Sequence, residues 1–113
     1  MSKVYVVQET GHDFRKAEQF GDIVFLTAGR EDFSNMKASL NNGDLLARLA
    51  GSLVNFNPDN DWLVLTGSPY VAAAVMLILG SRKVRKVQLL RWDNRAFEYA
   101  PLHIELAKEI LGG

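Results

Sequence analysis

Asp61-Trp-Leu-Val-Leu-Thr-Gly-Ser-Pro69, with the apolar run on to Leu79 and the segment Val84 to Trp92, decides the fold. Trp62-Leu-Val-Leu-Thr66 reads as a buried strand, Gly67-Ser68-Pro69 as a turn into a helix, and Val84 to Trp92 as the next strand, which together make one β-α-β unit. Ser68 can cap the helix and Pro69 suits its first position, so backbone N–H groups and the positive end of the helix dipole face whatever lies above the strand. Such a turn can hold an anion. The helix has no polar face from Val71 through Ala72, Ala73 and Ala74 to Leu79. It is therefore expected to be covered all round, by the sheet through Val75 and Leu79 and on its alanine side by another helix, within the chain or across a dimer. Gly80 ends it, and Arg82 and Lys83 complement its carboxyl-terminal dipole.

Upstream, Val4 to Val7 and Ile23 to Thr27 are near-continuous apolar runs, the pattern of inner strands covered on both faces. Between them Asp13 can cap a short helix through Phe14, Ala17 and Phe20 with Gly21 as its stop; an irregular connection is the alternative. Gly29 to Gly43 is polar and reads as a loop. From Asp44, Leu45, Leu49 and Leu53 form the i, i+4 stripe of an amphipathic helix that ends near Asn55 and packs on the sheet. Asn57 to Asp61 is a turn. Downstream, Asp93-Asn94 suits a tight turn, Ala96 to Ala100 returns as an antiparallel edge strand of the kind that tolerates Pro101, and Glu105 to Leu111 makes a last helix before Gly112-Gly113. The expected fold is a single α/β domain: a small three-layer sandwich with a mostly parallel, Rossmann-like four-stranded sheet and an antiparallel edge strand.

With 113 residues, 48% of them hydrophobic and 23% charged, the chain suffices for one core. Equal counts of 13 basic and 13 acidic side chains argue against a dedicated nucleic-acid binder. Charge is nevertheless uneven, because Arg82 to Arg95 holds six basic residues against Asp93 alone. The absence of cysteine excludes disulfides and thiolate chemistry and suits a reducing compartment. The amino terminus lacks the pattern of a signal peptide, and the longest apolar run, Tyr70 to Leu79, is short of the roughly 20 residues that cross a bilayer. A cytoplasmic protein without membrane contact is expected.

If the first four strands are parallel, their carboxyl ends share one edge, where open α/β sheets bind ligands at a change of strand order. Gln8 and Glu9, Thr27, Gly29 and Arg30, Thr66, Gly67 and Ser68, then Arg91 and Asp93 all fall there. Thr66, Gly67, Ser68, Arg30 and Arg91 are the candidate ligand-binding residues for a phosphate or carboxylate, with Tyr70 or Trp92 to stack on a base. The plainer reading is a capped structural turn. No Gly-x-Gly-x-x-Gly and no Walker-type loop is present, and no cofactor is expected. His12 and His103 have no companions at ligand spacing, which argues against a metal, and neither pairs by spacing with a nucleophile, which leaves no catalytic residue to name. Glu31-Asp32 and Asp59-x-Asp61 read as solvated turn acids, and Arg82 to Lys86 as helix-end charge on the opposite edge.

Val4-Tyr-Val-Val-Gln-Glu9, Phe20-Gly-Asp-Ile-Val-Phe-Leu26, the Asp61 to Pro69 turn and Leu90-Arg-Trp-Asp93 to Tyr99-Ala-Pro101 together resemble a group of short uncharacterised proteins encoded by bacteriophages, notably marine ones. The resemblance spans most of the chain and implies no settled activity. In similar sequences the turn looks like Ser/Thr-Gly-Asp-Pro. Ser68 departs from that pattern conservatively, since both residues cap helices, yet an aspartate would repel an anion. The resemblance thus favours a capped turn, or a ligand held by amides and hydroxyls without strong negative charge. A phage accessory protein is expected, non-enzymatic, acting by self-association as a dimer or by binding a host protein. A nucleotide or small-anion binder using the carboxyl-terminal edge of the sheet is the alternative.

Overall fold

β-branched and aromatic residues in short runs form the strands, and a computed structural model of the chain places them in one mixed five-stranded sheet of order β2-β1-β3-β4-β5. It describes residues 1–35, 40–107 and 110. The strands are β1 (Lys3–Val6), β2 (Asp22–Phe25), β3 (Trp62–Val64), β4 (Lys86–Asp93) and β5 (Glu98–Glu105), with a 3-10 helix at Arg15–Phe20 and the helices α1 (Leu40–Ser52) and α2 (Pro69–Ser81). β1 pairs in parallel with both β2 and β3, and β3 with β4. β5 runs antiparallel to β4 over eight residue pairs, Lys86↔Glu105 to Asp93↔Glu98.

Strand order and handedness decide which connection covers which face. The chain steps outward from β1 to β2, then reverses across β1 to β3 and on to β4. Right-handed crossovers then put the first connection on one face and the next two on the other. Leu45, Leu49 and Leu53 of α1 and Val71, Val75 and Leu79 of α2 accordingly share one core with Tyr5, Val7, Leu63 and Leu89. Alternate strand residues Val4, Val6, Val64 and Leu90 point to the other face, where they meet Phe14, Ala17 and Tyr99. The expected three-layer sandwich is therefore uneven: both α-helices lie on one face, and a six-residue 3-10 helix stands alone against the other among the described residues.

Several expectations change. The expected antiparallel edge strand is present as β5, but it is a full partner of β4, so the sheet is mixed and five-stranded rather than a Rossmann-like four-stranded one. β2 is an edge strand with Phe25 44% exposed; its apolar run resembles an inner strand because the 3-10 helix covers part of it, through Phe14 edge-on to Phe25 at 5.6 Å. α1 starts at Leu40, ahead of Asp44, and takes in Asn41-Asn42-Gly43. Glu105 ends β5 rather than opening a helix, because β5 continues through Pro101, which it tolerates as an edge strand. The rest of that expected helix lies outside the described residues, apart from Leu106, Ala107 and Ile110. Gly21 is required by close approach: a Cβ there would sit 2.5 Å from the Ser2 carbonyl oxygen.

Candidate functional site

β1 and β3 flank the point where the strand order reverses, the usual ligand crevice of a doubly wound sheet. Here the chain fills it with its own side chain. Gln8, 3% exposed, accepts the Ser68 backbone N–H at 2.7 Å through Oε1 and donates through Nε2 to the carbonyls of Ala28 (3.2 Å) and Glu31 (2.5 Å). Thr66 Oγ1 donates to the Gln8 carbonyl at 2.6 Å, and Thr27 Oγ1 to that of Val7 at 2.8 Å. Gly67 has φ +79°, and a Cβ on it would lie 2.0 Å from Gln8 Oε1. Only glycine allows the amide to seat there.

The amino end of α2 is satisfied in the same internal way. Ser68 Oγ accepts the N–H groups of Tyr70 (3.1 Å) and Val71 (3.4 Å) and donates to Asp32 Oδ1 at 2.8 Å. A carboxylate of the chain itself thus stands against the capping hydroxyl, at the positive end of the helix. Neighbouring Glu31 is held by Arg48 at 2.6 Å, which lowers its carboxyl below the usual range. These two acids are structural partners rather than solvated turn residues, and buried Asp61 is another, accepting the N–H groups of Lys3 (2.9 Å) and Asn57 (2.8 Å).

An open space lies one strand further along the same edge. β3 ends at Val64, where the chain turns toward β1, whereas β4 continues to Asp93 and beyond Leu90 pairs with β5 alone. The two strands splay into a groove of about 640 Å³, within the range of small-molecule sites. Val64, Leu65 and Thr66 line one wall and Leu89 to Trp92 the other, with Tyr99 and Leu102 from β5 behind them. Phe14 and Lys16 close the side toward the 3-10 helix. The lining is mainly apolar and rich in rings: Trp92 lies edge-on to Tyr99 at 5.1 Å.

Charge at the groove is positive. Asp13 is its one acid among the described residues, and Arg15 grips it through Nε and Nη2 at 2.7–3.0 Å, holding the carboxyl down to about 2. Lys16 crosses the mouth, donating to the Phe97 carbonyl with Nζ 5.9 Å from the Trp92 ring centroid. Arg91 carries no ion pair and no side-chain hydrogen bond among the described residues. Burial, and then the charge of Asp13, push the Tyr99 phenol up, so it stays protonated at neutral pH. No buried side-chain polar atom is left unpartnered among the described residues.

The sequence candidates divide between these two places. Thr66, Arg91 and Trp92 line the groove; Gly67 and Ser68 build the filled crevice; Arg30 is exposed on the loop after β2, and Tyr70 is 68% exposed on the first turn of α2. Lys16, Phe14, Tyr99 and Leu102 were missed. Tyr99 was the accessible one, because a hairpin at Asp93-Asn94 that keeps register sets it opposite Trp92. His12 sits at the groove lip, while His103 on β5 packs edge-on to Trp62 at 5.7 Å. Among the described residues no cluster of metal-ligating side chains occurs and no helix is long and apolar enough to cross a membrane. The basic run is spread over three partners: Arg82 donates to the Ala50 carbonyl of α1, Arg85 to that of Gly80 near the end of α2, and Lys86 pairs with Asp59 in the turn before β3.

Topology and groove define a small mixed α/β protein with an internally sealed switch point and an open edge beside it. The chain belongs to the family described as Phage Pam3 gp32-like protein, whose match covers residues 2–106 and includes every strand and helix named above. The resemblance to phage-encoded proteins is thereby established. No curated protein and no solved structure matches the chain.

Proposed function

We propose that this phage protein is a non-enzymatic binding protein of the host cytoplasm whose groove between β3 and β4 holds a small organic molecule. The observation that carries this reading is a mainly apolar space of about 640 Å³ at the carboxyl ends of parallel strands. Binding is favoured over catalysis because Thr66 Oγ1, the aliphatic hydroxyl on the groove wall, is spent on the Gln8 carbonyl and is not aligned to a base. Native mass spectrometry of gently purified protein, followed by thermal-shift screening, tests the reading. A ligand at 100 times its dissociation constant adds about 2.7 kcal/mol, a rise of roughly 10 °C for a chain of this size. Leu65→Trp, which fills the groove from its exposed lip, abolishes that rise. A library with no stabilising compound and a protein that carries no adduct would overturn the assignment.

Self-association is the second reading, favoured by α2. Pro69 to Ser81 contains no charged residue, and Tyr70 (68% exposed) and Leu77 (74% exposed) flank Ala73 on one outer stripe. A second copy fits that stripe; a host protein is the rival occupant. Sedimentation velocity of the parent gives a dimer and Leu77→Glu a monomer, whereas a parent that remains monomeric at high concentration removes the self-association reading.

A further inference from the structure

β3 and β4 part with their hydrogen-bonding edges still turned toward each other. Val64 accepts the Val7 N–H, so its main-chain groups point to β1, and alternation turns those of Leu63 and Leu65 toward β4. Just before β4, Arg85 accepts the Leu106 N–H on the β5 side, and Pro101, which has no N–H to give, stands opposite Leu90. Gln88, Leu90 and Trp92 therefore direct their N–H and C=O groups toward β3. The ladder between the two strands stops at Leu63↔Leu89, and no backbone hydrogen bond joins Leu65 to Leu90 or to Trp92. The N–H and C=O of Leu65 on one wall, and the Leu90 C=O and Trp92 N–H on the other, thus open into the groove without a partner among the described residues.

Side chains flank the same gap on both sides of the sheet. Leu89 and Leu102 belong to the face of α1 and α2, whereas Leu90, Trp92 and Tyr99 belong with Phe14 to the face of the 3-10 helix. We infer that the groove holds a neutral, flat ring with an amide in its edge, a lactam, lying in the plane of the sheet with that edge on the Leu65 N–H and C=O and its faces against these side chains; this rests on the groove being a ligand site. A lactam sets a donor beside an acceptor, as a missing strand would. A bare hydrocarbon would strip water from the open main-chain groups and leave them unbonded, which works against its binding. The guest carries no charge, because the charges around the groove are engaged or turned away. Arg15 takes both oxygens of Asp13, Lys16 donates to the Phe97 carbonyl, and alternation after Leu89 puts Arg91 on the face of α1 and α2.

Two neutral probes isolate the amide edge: 2-quinolone and 1-methyl-2-quinolone, which share a ring system and differ in the lactam N–H, titrated into the isotope-labelled full chain and followed by amide NMR. Naphthalene and 1-methylnaphthalene measure what the methyl group costs by itself. After that correction 2-quinolone is expected to bind about tenfold tighter than its methyl derivative, the yield of one to two hydrogen bonds. It is also expected to move the Leu65 N–H resonance downfield, as a new acceptor on that group requires. Leu65→Trp abolishes the shifts of the groove residues, while its circular dichroism and urea midpoint verify that it folds. Displacement of 2-quinolone by thymidine supports the proposal with a nucleoside as the source, and displacement by lumichrome supports it with a flavin-type ring. Equal affinity of the two quinolones, with shifts confined to the groove, overturns the lactam assignment and leaves the groove standing as an apolar site. Shifts that leave Leu65 unmoved and persist in Leu65→Trp overturn it too, since the probe then sits elsewhere. No shift of any groove residue with any of the probes removes the groove itself.

Discussion

Gly67→Ala is the most informative single substitution, because it probes the sealed crevice on which the rest of the edge depends. Its cost has two sources. The backbone at φ +79° is left-handed, which costs a residue with a Cβ about 1–2 kcal/mol. The new methyl would also lie 2.0 Å from Gln8 Oε1, 2.6 Å from its Cβ and 2.7 Å from its Cδ, so the amide must leave the bonds it makes to Ser68, Ala28 and Glu31. Overpacking of this kind adds about 1–3 kcal/mol. A total of roughly 2–5 kcal/mol is a large part of the 5–15 kcal/mol that stabilises an ordinary domain. In urea, with a slope of about 1.5 kcal/mol/M, the midpoint should fall by roughly 1.5–3 M at unchanged slope. The coupling to Gln8 is open to direct measurement. In a Gln8→Ala background the Oε1 and Cδ contacts vanish, so Gly67→Ala should cost less there by about 1–2 kcal/mol. A loss under about 0.5 kcal/mol, or strict additivity with Gln8→Ala, would refute the reasoning.

Three further outcomes are expected. Asp61→Ala strips two part-buried backbone N–H groups, of Lys3 and Asn57, of the acceptor that a buried side chain supplies and should cost about 1–3 kcal/mol by urea unfolding, with Asp61→Asn milder. Ser68→Asp keeps the helix cap but sets a second carboxylate against Asp32, so it should destabilise at neutral pH by about 1 kcal/mol more than Ser68→Asn, and Asp32→Ser should recover the difference. Carbon-detected NMR should titrate Asp13 near 2, held there by hydrogen bonds from Arg15, and Arg15→Gln should return it to the ordinary aspartate range. Because the folded value is depressed, the pair's contribution is present above pH about 4 and is lost as the pH falls toward 2.

Local rules made part of this molecule legible from its sequence. Ser68 and Pro69 announce the start of α2, and the structure places the cap on the residues that the turn chemistry predicts. The β-α-β unit follows from short-range pattern, as does the stripe of Leu45, Leu49 and Leu53. What escaped depends on partners far apart in the chain. Gln8 and Ser68 are separated by 60 residues, Lys3 and Asp61 by 58, and Ser68 and Asp32 by 36. An acid in a turn reads as solvated until a register brings a donor to it. The candidate site divides along the same line: Thr66, Arg91 and Trp92 lie at strand ends whose edge could be named, whereas Lys16 reaches the groove only because its connection packs against β5 and its side chain extends to Phe97 and the Trp92 ring.

The groove has a topological origin. Five strands spaced about 4.8 Å apart span roughly 19 Å, and a helix about 10 Å across shields about half of that width. The face with α1 and α2 has two such covers; the opposite face has one 3-10 helix, six residues and about 12 Å long, among the described residues. That helix belongs to the β1–β2 connection and packs against β1, β2 and β5, so the uncovered width falls between β3 and the β4–β5 hairpin. With the switch point sealed by Gln8, the sheet leaves another opening one strand over. That opening is floored by the same alternating residues, Val64 and Leu90, that build the core on this face. Its floor is thus shared with the core, while Lys16 and Arg91 at its rim are exposed.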